Sequence, residues 1–466
     1  MKVLIKALLK KIGLFNFVVK LKKTCVIQLL LFSDGFLKYS IKKNTFQYVN
    51  KRRVYGDIED SSEVKVLTIW ETDRKYDWLV LGSDDSIPIF HFQRHPVEVV
   101  FKHLLKSYVR NKTRNTIVEF YQPHHKEARS IYFRFCQRVA KIFKDELNIL
   151  LLVAPKMHDD WIIELLAALK GVGIKIIVNE RESVNTPKRL ERAPFYFEEY
   201  VGFEADLLCV CNQTHWDFWE KAKHPVNKMH LLGDIKSDYW YCKEKWLTQE
   251  KTCSELKNDR KKILFFAFGQ YSYLNYYYDE MEYDVNWNSL NDDYHETLLE
   301  FLRVNKGKVQ LIYKTGGKPQ RDLFGGFDAF MKKINAEFGP EDFLYLNAHY
   351  STLDLIRHCD IALGFQTTAM IEASFTSIPI IFGAWGKSYD MIKETLLPFE
   401  TEEALIYADS KEILLDKLNL AVRGELESSS EESRKRFREK FYYCADGKRG
   451  NALFEIIKKH YNNLQI

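Results

Sequence analysis

The segment 359–382 reads as strand, polar turn, helix and strand again. Its turn, Gln366-Thr367-Thr368, sets two hydroxyls beside the first backbone N–H groups of a helix. Those N–H groups have no partner inside the helix, and the helix dipole is positive at that end, so the turn suits a phosphate. A threonine there also caps the helix, and one residue can do both. Glu372 follows about one helical turn later, where a carboxylate can accept hydrogen bonds from a ribose. The bland alternative is a solvent-facing helix residue, but Ala369, Ile371 and Ala373 around it point to a buried helix. Phosphate plus ribose is a nucleotide.

Such a turn needs a sheet to hold it. From residue 78 onward apolar strands (78–81, 116–120, 148–154, 174–178, 205–210, 229–232) alternate with amphipathic stretches (96–109, 126–143, 161–169, 216–222). Residues 241–262 are polar, charged and without β-alternation, and read as a linker. The pattern then restarts with strands at 263–268, 309–313, 343–346, 361–363 and 378–382, and closes with helices near 410–422, 428–441 and 450–461. Alternation of this kind predicts parallel sheet with crossover helices. The expected class is α/β, with two Rossmann-like domains facing a cleft. The expected division is an N-terminal extension at 1–77, a first domain at 78–240, the linker at 241–262, and a nucleotide-binding domain with C-terminal helices at 263–466. A length of 466 residues with 46% hydrophobic and 29% charged residues fits two large domains.

The net charge of +5 is too modest to argue for nucleic acid. Eight cysteines are scattered without a CxxC pair or zinc spacing, so they read as free thiols of a reducing, cytoplasmic compartment. His124-His125 beside Glu127 lacks further ligands at suitable spacing, and no metal site is expected. Neither a GxxxxGK[ST] loop, a GxGxxG turn nor a GxSxG elbow is present. The first 33 residues carry seven lysines and no acidic residue, and their charge-free runs fall short of the roughly 20 residues a span needs. They fit a basic amphipathic segment on an anionic membrane surface, or equally a helix packed on the protein with its lysines in water.

Several segments in order resemble the GT-B glycosyltransferase superfamily, and more narrowly bacterial enzymes of surface-polysaccharide and capsule assembly, including CDP-glycerol glycerophosphotransferases. His230 to Tyr239 resembles the G-x-x-x-x-D strand end that closes the N-terminal domain, through Gly233 and Asp238. Lys261 to Ala267 resembles the strand that opens the C-terminal domain. Tyr313-Lys314 resembles a K-x-H-P strand end, with Thr315-Gly316-Gly317 where His-Pro would stand. The segment 360–382 resembles the donor motif ending in E-A and a later proline, here Glu372-Ala373 and Pro379. Asp446-Gly447-Lys448 resembles the D-G-K that precedes a terminal helix.

The resemblance implies a metal-independent, cofactor-free transferase that moves a sugar from a nucleotide-activated donor to a glycan or lipid-linked acceptor in surface-polysaccharide synthesis. Alternatives on the same fold are a hydrolysing nucleotide-sugar epimerase, a polyol-phosphate transferase, or a catalytically inactive partner subunit. Lys314, at the end of an apolar strand, would neutralise a diphosphate leaving group, unless it is an ordinary loop lysine. Gln366, Thr367 and Thr368 would hold phosphate and Glu372 the ribose. Gln270, at the end of the first strand of the second half, would touch the donor, and His349 the base. On the acceptor side, His158 or Asp159 after the NILLLVA strand would serve as general base. The carboxylates of Glu180-Arg181-Glu182 would bind or activate the acceptor, or form a surface salt-bridge cluster, the slightly favoured reading. The basic N-terminus would keep the protein at the inner face of the cytoplasmic membrane.

Overall fold

The computed structural model describes residues 15–49, 52–54, 65–70, 87, 89–105, 120–158, 160–180, 184–241, 255–257, 259–270, 285–315, 326–346 and 350–464. The first sheet is built from β1 (Thr45–Val49), β2 (Arg52–Val54), β3 (Lys65–Trp70), β4 (Ile89–Gln93), β5 (Ile149–Ala154), β6 (Lys175–Asn179), β7 (Leu207–Val210) and β8 (Met229–Leu231). Its order is β2-β1-β4-β3-β5-β6-β7-β8. Strands β3 to β8 pair in parallel, and β1 and β2 add an antiparallel edge. The second sheet holds β9 (Lys261–Phe266), β10 (Val309–Lys314), β11 (Phe343–Leu346), β12 (Ile361–Gly364), β13 (Ile380–Gly383) and β14 (Ile406–Ala408), in the order β11-β10-β9-β12-β13-β14. All its pairings are parallel. This is the doubly wound order, in which ligands settle at the carboxyl ends of the strands where the order reverses, here between β9 and β12. Both expected Rossmann-like domains are therefore present.

Buried parallel strands read as nearly continuous apolar runs because helices cover both of their faces. Along β5, Ile149, Leu152 and Ala154 enter one core and Leu151 and Val153 another. The second of these cores is closed by Leu453, Phe454, Ile457 and Tyr461 of the last helix, Arg449–Asn462. The chain's last helix thus crosses back onto the first sheet. The stretch expected as an N-terminal extension supplies β1, β2 and β3. The strand expected at 78–81, residues 116–119 of the strand expected at 116–120, and residues 242–254 and 258 of the linker lie outside the described residues; Phe120 is not in a strand, and Lys261 and Lys262 of the expected linker belong to β9.

The crossing back is fixed by motifs distant in sequence. Asp238 accepts the N–H groups of Arg449 and Gly450 at 3.1 and 2.7 Å, capping the last helix with a carboxylate. Tyr241 donates to the Ala445 carbonyl at 2.5 Å. Gly447 sits at φ 77°, and a Cβ there would stand 2.7 Å from Tyr241 Cβ. Both the left-handed backbone and the close approach require glycine. Gly447→Ala is expected to destabilise the fold by about 1–3 kcal/mol, read as an earlier midpoint in denaturant; an unchanged midpoint would refute this account of the crossing.

The helix Phe15–Phe32 is followed by a second, Asp34–Lys43, after a sharp bend of 108°. Ile27, Leu30, Leu37 and Ile41 are buried, while Leu29, Phe32 and Tyr39 are exposed. Among the described residues no single helix is long and apolar enough to cross a membrane.

Candidate functional site

At the reversal point of the second sheet, β9 and β12 end side by side. A Cβ on Gly364 would press on Phe266 at 3.4 Å and on the Thr367 methyl at 3.2 Å, so the bare glycine lets the following turn fold back over the strand ends. Gln366 takes φ 38°, and its side-chain amide clamps the Leu397 backbone in both directions, at 2.8 and 3.0 Å. Its side chain, expected to hold phosphate, is thus committed to bracing the turn. Thr367 caps the short helix Thr368–Ala373 by accepting the Ala369 N–H at 3.3 Å. Glu372 is buried on that helix and forms an ion pair with Lys236 of the first domain.

Lys314 ends β10 next to β9, where the Ala267 N–H donates to its carbonyl at 2.9 Å. Its side chain is buried, and its ammonium donates to the Thr315 carbonyl at 2.9 Å. Burial, with no carboxylate beside it among the described residues, lowers its pKa to about 8. A cation so held has unused capacity for an incoming phosphate. Gln270 lies half-buried in the loop after β9, where its carbonyl accepts the Trp287 N–H at 2.9 Å. His349 and Asp159 lie outside the described residues.

A pocket opens between the domains. It is lined by Val184, Asp234 and Lys236 of the first and by Thr368, Glu372 and Phe441 of the second. It brings together two of the predicted nucleotide ligands, Thr368 and Glu372. Sequence reasoning gave Lys236 no role, since nothing local marks it. It stands in the short turn Ile235–Ser237 after β8, where its backbone N–H is accepted by Asp234 at 2.9 Å.

The first domain presents a second cluster at the carboxyl ends of β5 and β6. His158 Nδ1 lies 3.1 Å from Glu180 Oε1. His215 Nε2 lies 2.6 Å from Oε2, and Trp219 Nε1 donates to that same oxygen at 3.1 Å. The favoured reading of Glu180 as part of a surface cluster is corrected here: the residue is buried. It follows directly on β6, and strand ends of this kind point into the cleft. Burial alone would raise its carboxyl pKa; His158 and His215 overcome that and hold it well below the usual carboxylate range. The His158 side chain remains 19% exposed, whereas that of His215 is 7% exposed and its Nδ1 has no partner among the described residues. The tautomer that donates Nδ1–H to Glu180 is the one that leaves Nε2 as an acceptor facing away from the carboxylate. A carboxylate that orients an imidazole is the arrangement of a general base.

No family model matches this sequence, and no curated protein matches it. Solved structures do. A protein of Listeria monocytogenes assigned as a UDP-N-acetylglucosamine 2-epimerase aligns over 86% of this chain and 98% of its own, with TM-score 0.52 and 12% identity. The UDP-GlcNAc 2-epimerase of Methanocaldococcus jannaschii aligns over 85% and 99%, with TM-score 0.49 and 12% identity. The wall teichoic acid polymerase TagF aligns over 96% and 99%, with TM-score 0.49 and 10% identity. The first of these shows the shared architecture: the chain has the GT-B fold.

Proposed function

We propose that this chain is a GT-B-type transferase that moves a sugar, or a polyol phosphate, from a nucleotide-activated donor to a hydroxyl of a glycan or lipid-linked acceptor in cell-envelope polymer synthesis. The observation that carries the reading is the pairing of two half-sites on the two domains. One is a buried cation and carboxylate suited to a nucleotide, Lys314 and Glu372. The other is an imidazole held by a carboxylate, His158 and Glu180.

The donor's diphosphate lies against Lys314 and the start of the helix at Thr368, its ribose on Glu372, and its base toward Gln270 and His349. Thr367 and Gln366 shape the turn. His158, or Asp159 beside it, takes the proton of the acceptor hydroxyl as the new bond to the donor carbon or phosphorus forms. The bond to the nucleoside diphosphate or monophosphate breaks, and Lys314 stabilises the charge that the leaving group gains. Fixed protein cations do the work that a divalent ion does elsewhere, so no metal is required. The exposed Leu29, Phe32 and Tyr39 support docking on a membrane that carries the acceptor.

A second reading is a hydrolysing nucleotide-sugar epimerase. It is favoured by the likeness to the Listeria protein, and a second acid-base group beside His158 would suit it. Incubation with donor alone separates the two. Epimerised sugar plus free nucleotide in the absence of any acceptor supports the epimerase; release of nucleotide only when a glycan or lipid-linked acceptor is added supports the transferase.

A further inference from the structure

Glu372, which is buried, and Lys236, which is part-buried, form an ion pair between the domains, with side chains 6% and 14% exposed. The proposed ribose ligand is thus already occupied by a cation from the opposite domain. The ammonium is held on Oε1, so a ribose that takes that oxygen must displace it. Leaving one member of a buried pair without a counter-charge is strongly unfavourable. Asp234 is the other acid lining the pocket, and it already accepts the backbone N–H of Lys236. Thr368, at the start of the helix where the donor phosphates are placed, lines the same pocket as Lys236.

We infer that Lys236 is a specificity-determining residue that makes the pocket select diphosphate-bearing nucleosides and reject uncharged ones. This rests on the assignment of Glu372 to the ribose. A nucleoside breaks the ion pair and offers nothing in exchange. A nucleoside diphosphate breaks it too, but brings an anion that the freed ammonium can meet across the cleft. The first domain thereby senses the donor's phosphates, and the exchange of partners ties donor occupancy to the apposition of the two domains. Lys314 draws on the same diphosphate from the second domain, but it has no carboxylate partner to lose among the described residues.

The test compares affinities by calorimetry for uridine with UDP and for cytidine with CDP, in wild type, Lys236→Met and the double variant Lys236→Met/Glu372→Gln. In the base series that binds, the wild type prefers the diphosphate to its nucleoside. In Lys236→Met that preference narrows by roughly tenfold or more, as expected when a buried charge no longer has to be left unpaired. Much of the narrowing comes from tighter nucleoside binding. The double variant leaves no buried charge unpaired, so it covers the case in which Lys236→Met does not fold, and its preference narrows likewise. An unchanged preference in a folded variant overturns the inference. If Glu372→Ala weakens neither nucleoside nor diphosphate, it is the ribose assignment that fails, and the two failures are thereby told apart.

Discussion

His158→Asn should lower turnover by roughly 10²- to 10⁴-fold, the usual contribution of a positioned general base, while leaving nucleotide affinity unchanged. The imidazole sits on the first domain at the end of β5, with Nδ1 on a carboxylate that its two histidine neighbours keep ionised. That carboxylate fixes the ring and stabilises the imidazolium formed when the acceptor proton arrives. Asparagine keeps a hydrogen bond to Glu180 but has no basic nitrogen. Glu180→Gln should therefore give a smaller loss than His158→Asn, together with a shifted pH–rate profile. A His158→Asn variant that turns over at the wild-type rate would remove the acceptor-side half of the account, and Asp159 would then be tested in its place.

Lys314→Met should lower both donor affinity and turnover, the latter by about 10²- to 10³-fold if the ammonium meets the charge that develops on the leaving group. The same lysine sets a pH dependence. Its folded-state pKa is about 8, depressed by burial from an ordinary 10.5. A bound diphosphate favours the protonated form, so donor affinity should fall as pH rises through about 8, and Lys314→Met should be flat there. Stability should move the opposite way. Between pH 8 and 10.5 the unfolded chain holds a proton that the folded, empty protein has lost, so stability rises with pH across that window. Methionine should abolish that rise too. A wild-type affinity independent of pH from 7 to 9 would show that Lys314 does not meet the phosphates.

The second sheet is legible in the sequence because its strands are short runs of wholly buried residues bounded by polar turns. Ile263 to Phe266 and Ile361 to Leu363 announce themselves in this way. The start of the first sheet is not. β3 and β4 carry a buried polar pair, with Thr68 Oγ1 2.6 Å from His91 Nδ1, and Lys65 is buried at the end of β3. These break the apolar runs by which a central parallel strand is recognised. β1, β2 and β14 are short strands at or next to sheet edges, and strands of three to five residues leave only a weak signal in the sequence. At the candidate site, Lys314, Thr368 and Glu372 stand out in the sequence because each lies at a strand end or in the helix that follows one. Lys236 does not, since its partner is 136 residues away and only the meeting of the domains brings them together. The same holds for His215, whose significance rests on Glu180 from a different strand. Gln366 is readable as part of the turn, but its clamp on Leu397 depends on a loop that no local pattern connects to it.

The central claim, a nucleotide site centred on Glu372, is tested most directly by thermal unfolding of the purified protein. UDP, CDP, CMP, GDP and dTDP are added in turn to wild type and to Glu372→Ala. A ligand that binds only the folded state raises its midpoint by mass action. The account predicts that one of these nucleotides stabilises the wild type and that the variant, though folded, loses the shift. Stabilisation that survives in Glu372→Ala, or none by any of the five, would contradict it.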